Sequence, residues 1–231
     1  MTQSIAGLHE HLPAERPAVP WLRRVGVLLL VSVVLLTLVR VLLVQSFVVP
    51  TGSMEPLLPV GTRVLVSPNA YRFGDVGRGD VIVFDGTGVF DPPQPPGSSL
   101  KRAGAALAGL LGAPVGERDY VKRVIGLPGD RVTCCDAAGR VSVNGAALDE
   151  PYLAPGDAPS STVFDIRVPA GRYFVLGDHR SQSGDSRSHL GDPGGGTVPG
   201  NRIVGRVVGI YWPLDRAGPL NSSRSAQASG D

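Results

Sequence analysis

Cysteine is almost absent from this 231-residue chain, and the two that occur, Cys134 and Cys135, are neighbours. A bridge between adjacent residues closes a small, strained ring, so the even count implies no disulfide framework and the pair is expected to be free or redox-sensitive. No histidine stands at zinc spacing from them, so no metal site is expected, and no cofactor. Charge is also scarce: charged residues make up 18% of the chain and the formal net charge is +2. Without a basic patch interleaved with aromatics, a nucleic-acid partner is not expected. Long amphipathic helical patterns are missing after residue 45. What is plentiful instead is Gly (31) and Pro (21), the composition of short strands joined by many turns.

One long apolar run stands out, VGVLLLVSVVLLTLVRVLLV, Val25 to Val44. It has the length a helix needs to cross a bilayer, with Arg40 close enough to the downstream end to snorkel. A cleavable leader is the competing reading, but the run is long for one and no small-x-small site follows it. Arg16, Arg23 and Arg24 precede it, which predicts a cytoplasmic N-terminus and an extracytoplasmic remainder.

Beyond Ser46, short runs rich in Val, Ile, Tyr and Phe alternate with turn signals: TRVLVSP, GDVIVFDG, DYVKRVIGLPGD, RVSVNG, TVFDIRVPAG, RYFVLGD and RIVGRVVGIYWP. They predict a mainly β body of antiparallel sheets, with a hairpin turn at Asn144-Gly145. The segment between Asp85 and Glu117, with FDPPQPPG and Leu100, Leu107, Leu110 and Leu111, reads as a surface excursion, or as a short helix resting on lipid. The polar tail after Pro213 reads as disordered.

The stretch VVPTGSMEP, Val48 to Pro56, holds Ser53 in a turn stiffened by Pro50 and Pro56 and opened by Gly52. Thr51 and Ser53 in such a turn often do no more than bond to backbone. As a nucleophile, Ser53 needs a base. His179 and His189, with Asp178, Asp185 or Asp192, offer a Ser-His-Asp set. Lys122 is the other choice. A strand lysine commonly snorkels or pairs with a carboxylate, and acts as a base only if burial lowers its pKa from ~10.4 towards neutrality.

Taken in order, PTGSMEP, RGDVIVF, YVKRVIGLPGD and GDHRSQSGDSR after one N-terminal anchor resemble the type I signal peptidases, over Ser46 to Trp212 apart from the insert and the Cys134 to Pro169 stretch. The resemblance implies a signal-peptidase fold and removal of signal peptides after A-x-A sites. It makes Ser53 the nucleophile and Lys122 the base, with Thr51 and the Ser53 N–H as oxyanion donors. Ser183 would bond the lysine amine, with Asp185 and Arg187 supporting the site, while Arg123 and Asp178 fall at positions of structural character. Phe47, Val49, Pro50, Met54 and Val121 would wall the substrate pockets. His179 and Gln182 depart from the asparagines common at those positions. The implied organisation is a cytoplasmic segment 1–24, a membrane helix 25–44, an extracytoplasmic peptidase domain 45–213 with an insert 85–117 and a variable lobe 133–169, and a disordered tail 214–231. Its partners would be signal peptides of exported preproteins, membrane lipid and, through substrate delivery, an export channel. Two alternatives are a Ser-His-Asp hydrolase and an inactive anchored adaptor. The self-cleaving repressors of the DNA-damage response share the Ser/Lys pair, but the first residues here carry no DNA-binding pattern.

Overall fold

The computed structural model describes residues 20–72, 74–92 and 118–220. Among the described residues one α-helix, α1 (Pro20–Leu43), precedes twelve strands, with short 3-10 turns between the later ones. From Trp21 to Leu35 its described large apolar side chains are mostly exposed, Leu28, Leu29 and Leu30 each by more than 60%, because apolar residues occupy all sides of the helix rather than one stripe. Among the described residues no helix is long and apolar enough to cross a membrane, and the side chains of residues 36–43 lie outside them.

The body is built on an eight-stranded antiparallel sheet. Its strands are β1 (Gln45–Val48), β2 (Arg63–Ser67), β3 (Val81–Asp85), β4 (Asp119–Gly126), β9 (Arg172–Leu176), β10 (Val198–Pro199), β11 (Ile203–Trp212) and β12 (Gly218–Pro219), in the order β1-β2-β11-β3-β4-β9-β10 with β12 beside β11. A smaller sheet, β7-β6-β5-β8, joins β5 (Arg131–Cys134), β6 (Val141–Val143), β7 (Ala146–Ala147) and β8 (Phe164–Arg167). Asn144 and Gly145 both have positive φ (54° and 87°) between β6 and β7, the backbone that a two-residue hairpin turn requires.

Alternation along β3 explains its burial on both faces. Val81 and Val83 enter one apolar cluster with Phe47, Val49, Met54, Leu58 and Val121. Ile82 and Phe84 enter another with Val124 and Val175. A third cluster ties the small sheet to the large one, packing Val132, Val141, Val143 and Phe164 against Ile125, Phe174 and Leu176. β4 therefore touches all three clusters, and a polar side chain on it is held among packed neighbours.

Two expectations need correction. Cys134 and Cys135 are joined as a disulfide, not free; Cys134 is buried in the cluster beneath the small sheet. The chain after Pro213 is ordered as far as Leu220, because β12 pairs with Gly209 and Ile210 of β11. Residues 221–231, and residues 93–117 of the insert, lie outside the described residues.

Candidate active site

The turn carrying Ser53 is closed at its base by backbone hydrogen bonds between Val49 and Thr62 (2.8 Å) and between Gly61 and Val49 (2.8 Å). Met54 and Leu58, both fully buried, pin it to the core beneath. Each such side chain contributes roughly 1.5–3 kcal/mol by its burial, so the apolar residue after the serine serves as an anchor. A second segment, following β9, clamps the turn: the His179 N–H donates to the Ser53 carbonyl at 3.1 Å. Gly177 makes that approach possible, since a Cβ there would lie 2.5 Å from the Ser53 carbonyl oxygen and 2.2 Å from Ser183 Oγ.

Lys122 reaches Ser53 from β4, its Nζ 2.6 Å from Ser53 Oγ. The two side chains are almost fully enclosed, the residues being 3% and 6% exposed. Burial lowers the lysine pKa from 10.5 to about 8; the carboxylates of Asp185 and Asp178 act in the opposite direction, and the Arg187 guanidinium adds to the lowering. An amine titrating there is partly neutral at physiological pH and can accept a proton. Thr51 Oγ1 lies 3.3 Å from Ser53 Oγ.

Around this pair the charges are matched. Arg187 grips Asp185 through Nε (2.9 Å) and Nη2 (2.8 Å). Burial pushes the Asp185 carboxyl up, but hydrogen bonds from Arg187 and the Gly177 N–H outweigh it and hold the group below the usual carboxylate range. Arg123 forms a two-pronged pair with Asp178 (2.7 and 2.6 Å) and lies 4.0 Å over the Tyr152 ring. The hydrogen bond from Ser183 to the lysine amine is not formed: Ser183 Oγ is buried without a well-directed partner, although it lies near enough to Asp185 to help keep that carboxyl low.

A groove of about 280 Å³ opens beside Ser53 and Lys122, lined among others by Val49, Pro50, Val121, Tyr120 and Gln182. Phe47 and Met54 do not line it; they pack into the core beneath. Along the groove, Asp119–Lys122 of β4 pairs with β3 on one side. On the other, β9 begins pairing only at Arg123, so among the described strands this edge is open.

The histidines sit elsewhere. His179 Nδ1 is 3.9 Å from Glu55 Oε2 in a separate cleft with Pro56, Pro59, Pro155 and Arg216. His189 bonds Asp192 at 2.8 Å and stacks on Phe90. Neither hydrogen-bonds to the Ser53 hydroxyl among the described residues. Gly177, and the buried Arg180–Glu150 pair that ties the turn after β9 to the small lobe, were not singled out from the sequence. Gly177 had a signal, standing before the aspartate of GDHRSQSGDSR; Glu150 had none.

A family model described as "Signal peptidase, peptidase S26" matches residues 22–212. Signal peptidase I of Mycobacterium tuberculosis (strain H37Rv) is 35% identical over 244 residues, which cover 94% of this chain and 81% of that protein. Signal peptidase I of Bacillus caldolyticus is 35% identical over 196 residues, 80% of this chain and 88% of its own. A probable signal peptidase I-2 of Synechocystis is 31% identical and covers 99% of this chain and 90% of its own. Among solved structures, a crystal structure of a signal peptidase I from Enterococcus faecalis matches 58% of this chain and 97% of its own, at 25% identity and a TM-score of 0.37. With the family match running from α1 through the serine turn and the lysine strand to the end of β11, the chain belongs to the S26 signal peptidases, a family of serine peptidases.

Proposed function

We propose that the protein removes N-terminal signal peptides from exported preproteins, with Ser53 as nucleophile and Lys122 as general base. The observation that carries this reading is the 2.6 Å contact between a buried lysine amine and the serine hydroxyl, with the amine lowered to about 8. Neutral Lys122 takes the Ser53 proton as Oγ attacks the scissile carbonyl. The Thr51 hydroxyl and the Ser53 N–H receive the oxyanion. The lysine ammonium then protonates the leaving amine, and water hydrolyses the acyl-enzyme, with Lys122 again as base.

The open edge of Asp119–Lys122 suits an extended substrate that adds itself as a strand. Val49, Pro50 and Val121 line a small groove beside it, a shape that favours alanine-sized side chains and hence A-x-A sites. α1 would anchor the enzyme, its apolar surface in lipid and its N-terminus in the cytoplasm behind Arg16, Arg23 and Arg24. The catalytic body would then lie outside, against the membrane that still holds the substrate's apolar segment, where an export channel delivers it. The direct test is to incubate the full chain in detergent with a preprotein bearing one A-x-A site and read the new N-terminus by mass spectrometry. A single cut after the second alanine, abolished by Ser53→Ala, is expected; a cut elsewhere, or one that survives the substitution, overturns the reading.

A further inference from the structure

The insert between β3 and β4 begins as a tight turn, and that turn holds a wall of the groove. The N–H groups of Val89, Phe90 and Asp91 all converge on the Gly86 carbonyl at 2.9–3.0 Å, and the Gly88 N–H bonds the Asp91 carbonyl at 2.8 Å. Tyr120, which lines the groove, lies against this turn. Its ring sits 5.6 Å from Phe84, nearly parallel, and 5.3 Å edge-on from Phe90. Gly86 leaves room for the ring, as a Cβ there would come within 2.3 Å of it. The phenol donates to Asp91 Oδ1 at 3.1 Å, and Asp91 Oδ2 is buried with no hydrogen-bond partner. Lys122 Nζ is 5.9 Å from the ring centroid, so Tyr120 neighbours the base as well as the groove.

We propose that Asp91 is a positioning residue for substrate selection: by accepting the Tyr120 hydroxyl it fixes the ring as a groove wall and so limits the size of side chain admitted beside Ser53. The inference rests on the reading of this groove as the site for the small residues of an A-x-A sequence. Two hydrogen-bond geometries at the phenol would mean two ring positions and two groove widths. The bond to Asp91 Oδ1, with the ring stacked on Phe84 and held edge-on by Phe90, selects one. The pocket is consequently shaped by a segment that carries no catalytic group, and changes in the Gly86–Asp91 turn alter which preproteins are cut while leaving the Ser53–Lys122 contact in place.

The test compares the full-length wild type, Asp91→Ala, Asp91→Asn and Tyr120→Phe on two preproteins that differ only in Ala or Val at the position before the scissile bond. The ratio of kcat/KM for Ala over Val is the readout, with the pH profile recorded alongside. Asp91→Ala and Tyr120→Phe should each lower the ratio by about tenfold, the scale of one lost hydrogen bond to a charged acceptor. Asp91→Asn keeps an acceptor and should hold the ratio within about threefold of wild type. The pH midpoint should not move in any of them, whereas general loosening of the site would shift it. Should Asp91→Ala fail to fold, Tyr120→Phe, which keeps the packed ring, removes the same hydrogen bond from its other end. An unchanged ratio in both Asp91→Ala and Tyr120→Phe overturns the proposal, as does an equal loss on both substrates. A wild type that cuts neither preprotein overturns instead the reading of the groove on which the proposal rests.

Discussion

Replacing Lys122 with methionine should abolish cleavage and stabilise the protein. The folded amine titrates at about 8 against 10.5 for the free side chain, so at pH 7 folding disfavours the proton by about 3 kcal/mol, at ~1.36 kcal/mol for each tenfold. Methionine fills similar space without a charge to desolvate, and forfeits the bond to Ser53, worth about 1 kcal/mol net. The expected gain at pH 7 is therefore about 2 kcal/mol. Its pH dependence is the sharper part. Between about 8 and 10.5 the unfolded wild type holds a proton that the folded protein has released, so wild-type stability rises with pH across that window. By pH 9.5 the burial penalty falls to ~1.4 kcal/mol, and the advantage of the variant should shrink by about 2 kcal/mol. Urea unfolding of both full-length proteins in detergent, at pH 7 and pH 9.5, measures this. A variant less stable than wild type at pH 7, or an advantage that does not change with pH, would refute the idea that burial depresses this amine.

Other consequences follow from the same geometry. Arg187→Met removes a positive charge that helps lower the Lys122 pKa and leaves Asp185 without its two-pronged partner, so the midpoint of the pH–rate profile should move to higher pH. Thr51→Val should lower kcat by about 10²-fold with little change in KM, as for the loss of one oxyanion donor, while Thr51→Ser should restore most of it. Gly177→Ala forces a Cβ to within 2.2 Å of Ser183 Oγ and 2.5 Å of the Ser53 carbonyl. It should cost about 1–3 kcal/mol by overpacking, read from thermal unfolding, and lower activity by displacing the serine turn.

Much of the body was legible in the sequence because most of its strands announce themselves by residue type. β2, β3, β4, β6, β8, β9 and β11 are β-branched or aromatic runs between Gly, Pro and Asp, and Asn144-Gly145 states its own turn. β1 was hidden because Gln45–Val48 follows the apolar run directly and is only four residues long. β10 and β12 are two-residue strands containing proline, too short for any period. β5 was masked by its cysteine.

At the site, the serine and lysine could be named from ordered motifs, since their chemistry depends on residue type. What could not be read was packing. Met54 belongs to the core and not to the groove because Leu58 folds back beside it, the Leu58 N–H bonding the Met54 carbonyl at 2.8 Å. Ser183 lies buried without a well-directed hydrogen-bond partner, which its motif does not announce. The grip of Asp91 on Tyr120 joins residues 29 positions apart in sequence, and no local pattern signals it.

The central claim is that a lysine, and no histidine, activates Ser53. The measurement that tests it most directly is kcat/KM on a preprotein with an A-x-A site for wild type, Lys122→Ala and the double variant His179→Ala/His189→Ala, each checked for folding. The lysine variant should be inactive and the histidine variant should still cut, with a pH–rate profile that rises through a midpoint near 8. An active lysine variant, or a histidine variant that folds and has lost cleavage, would contradict the claim.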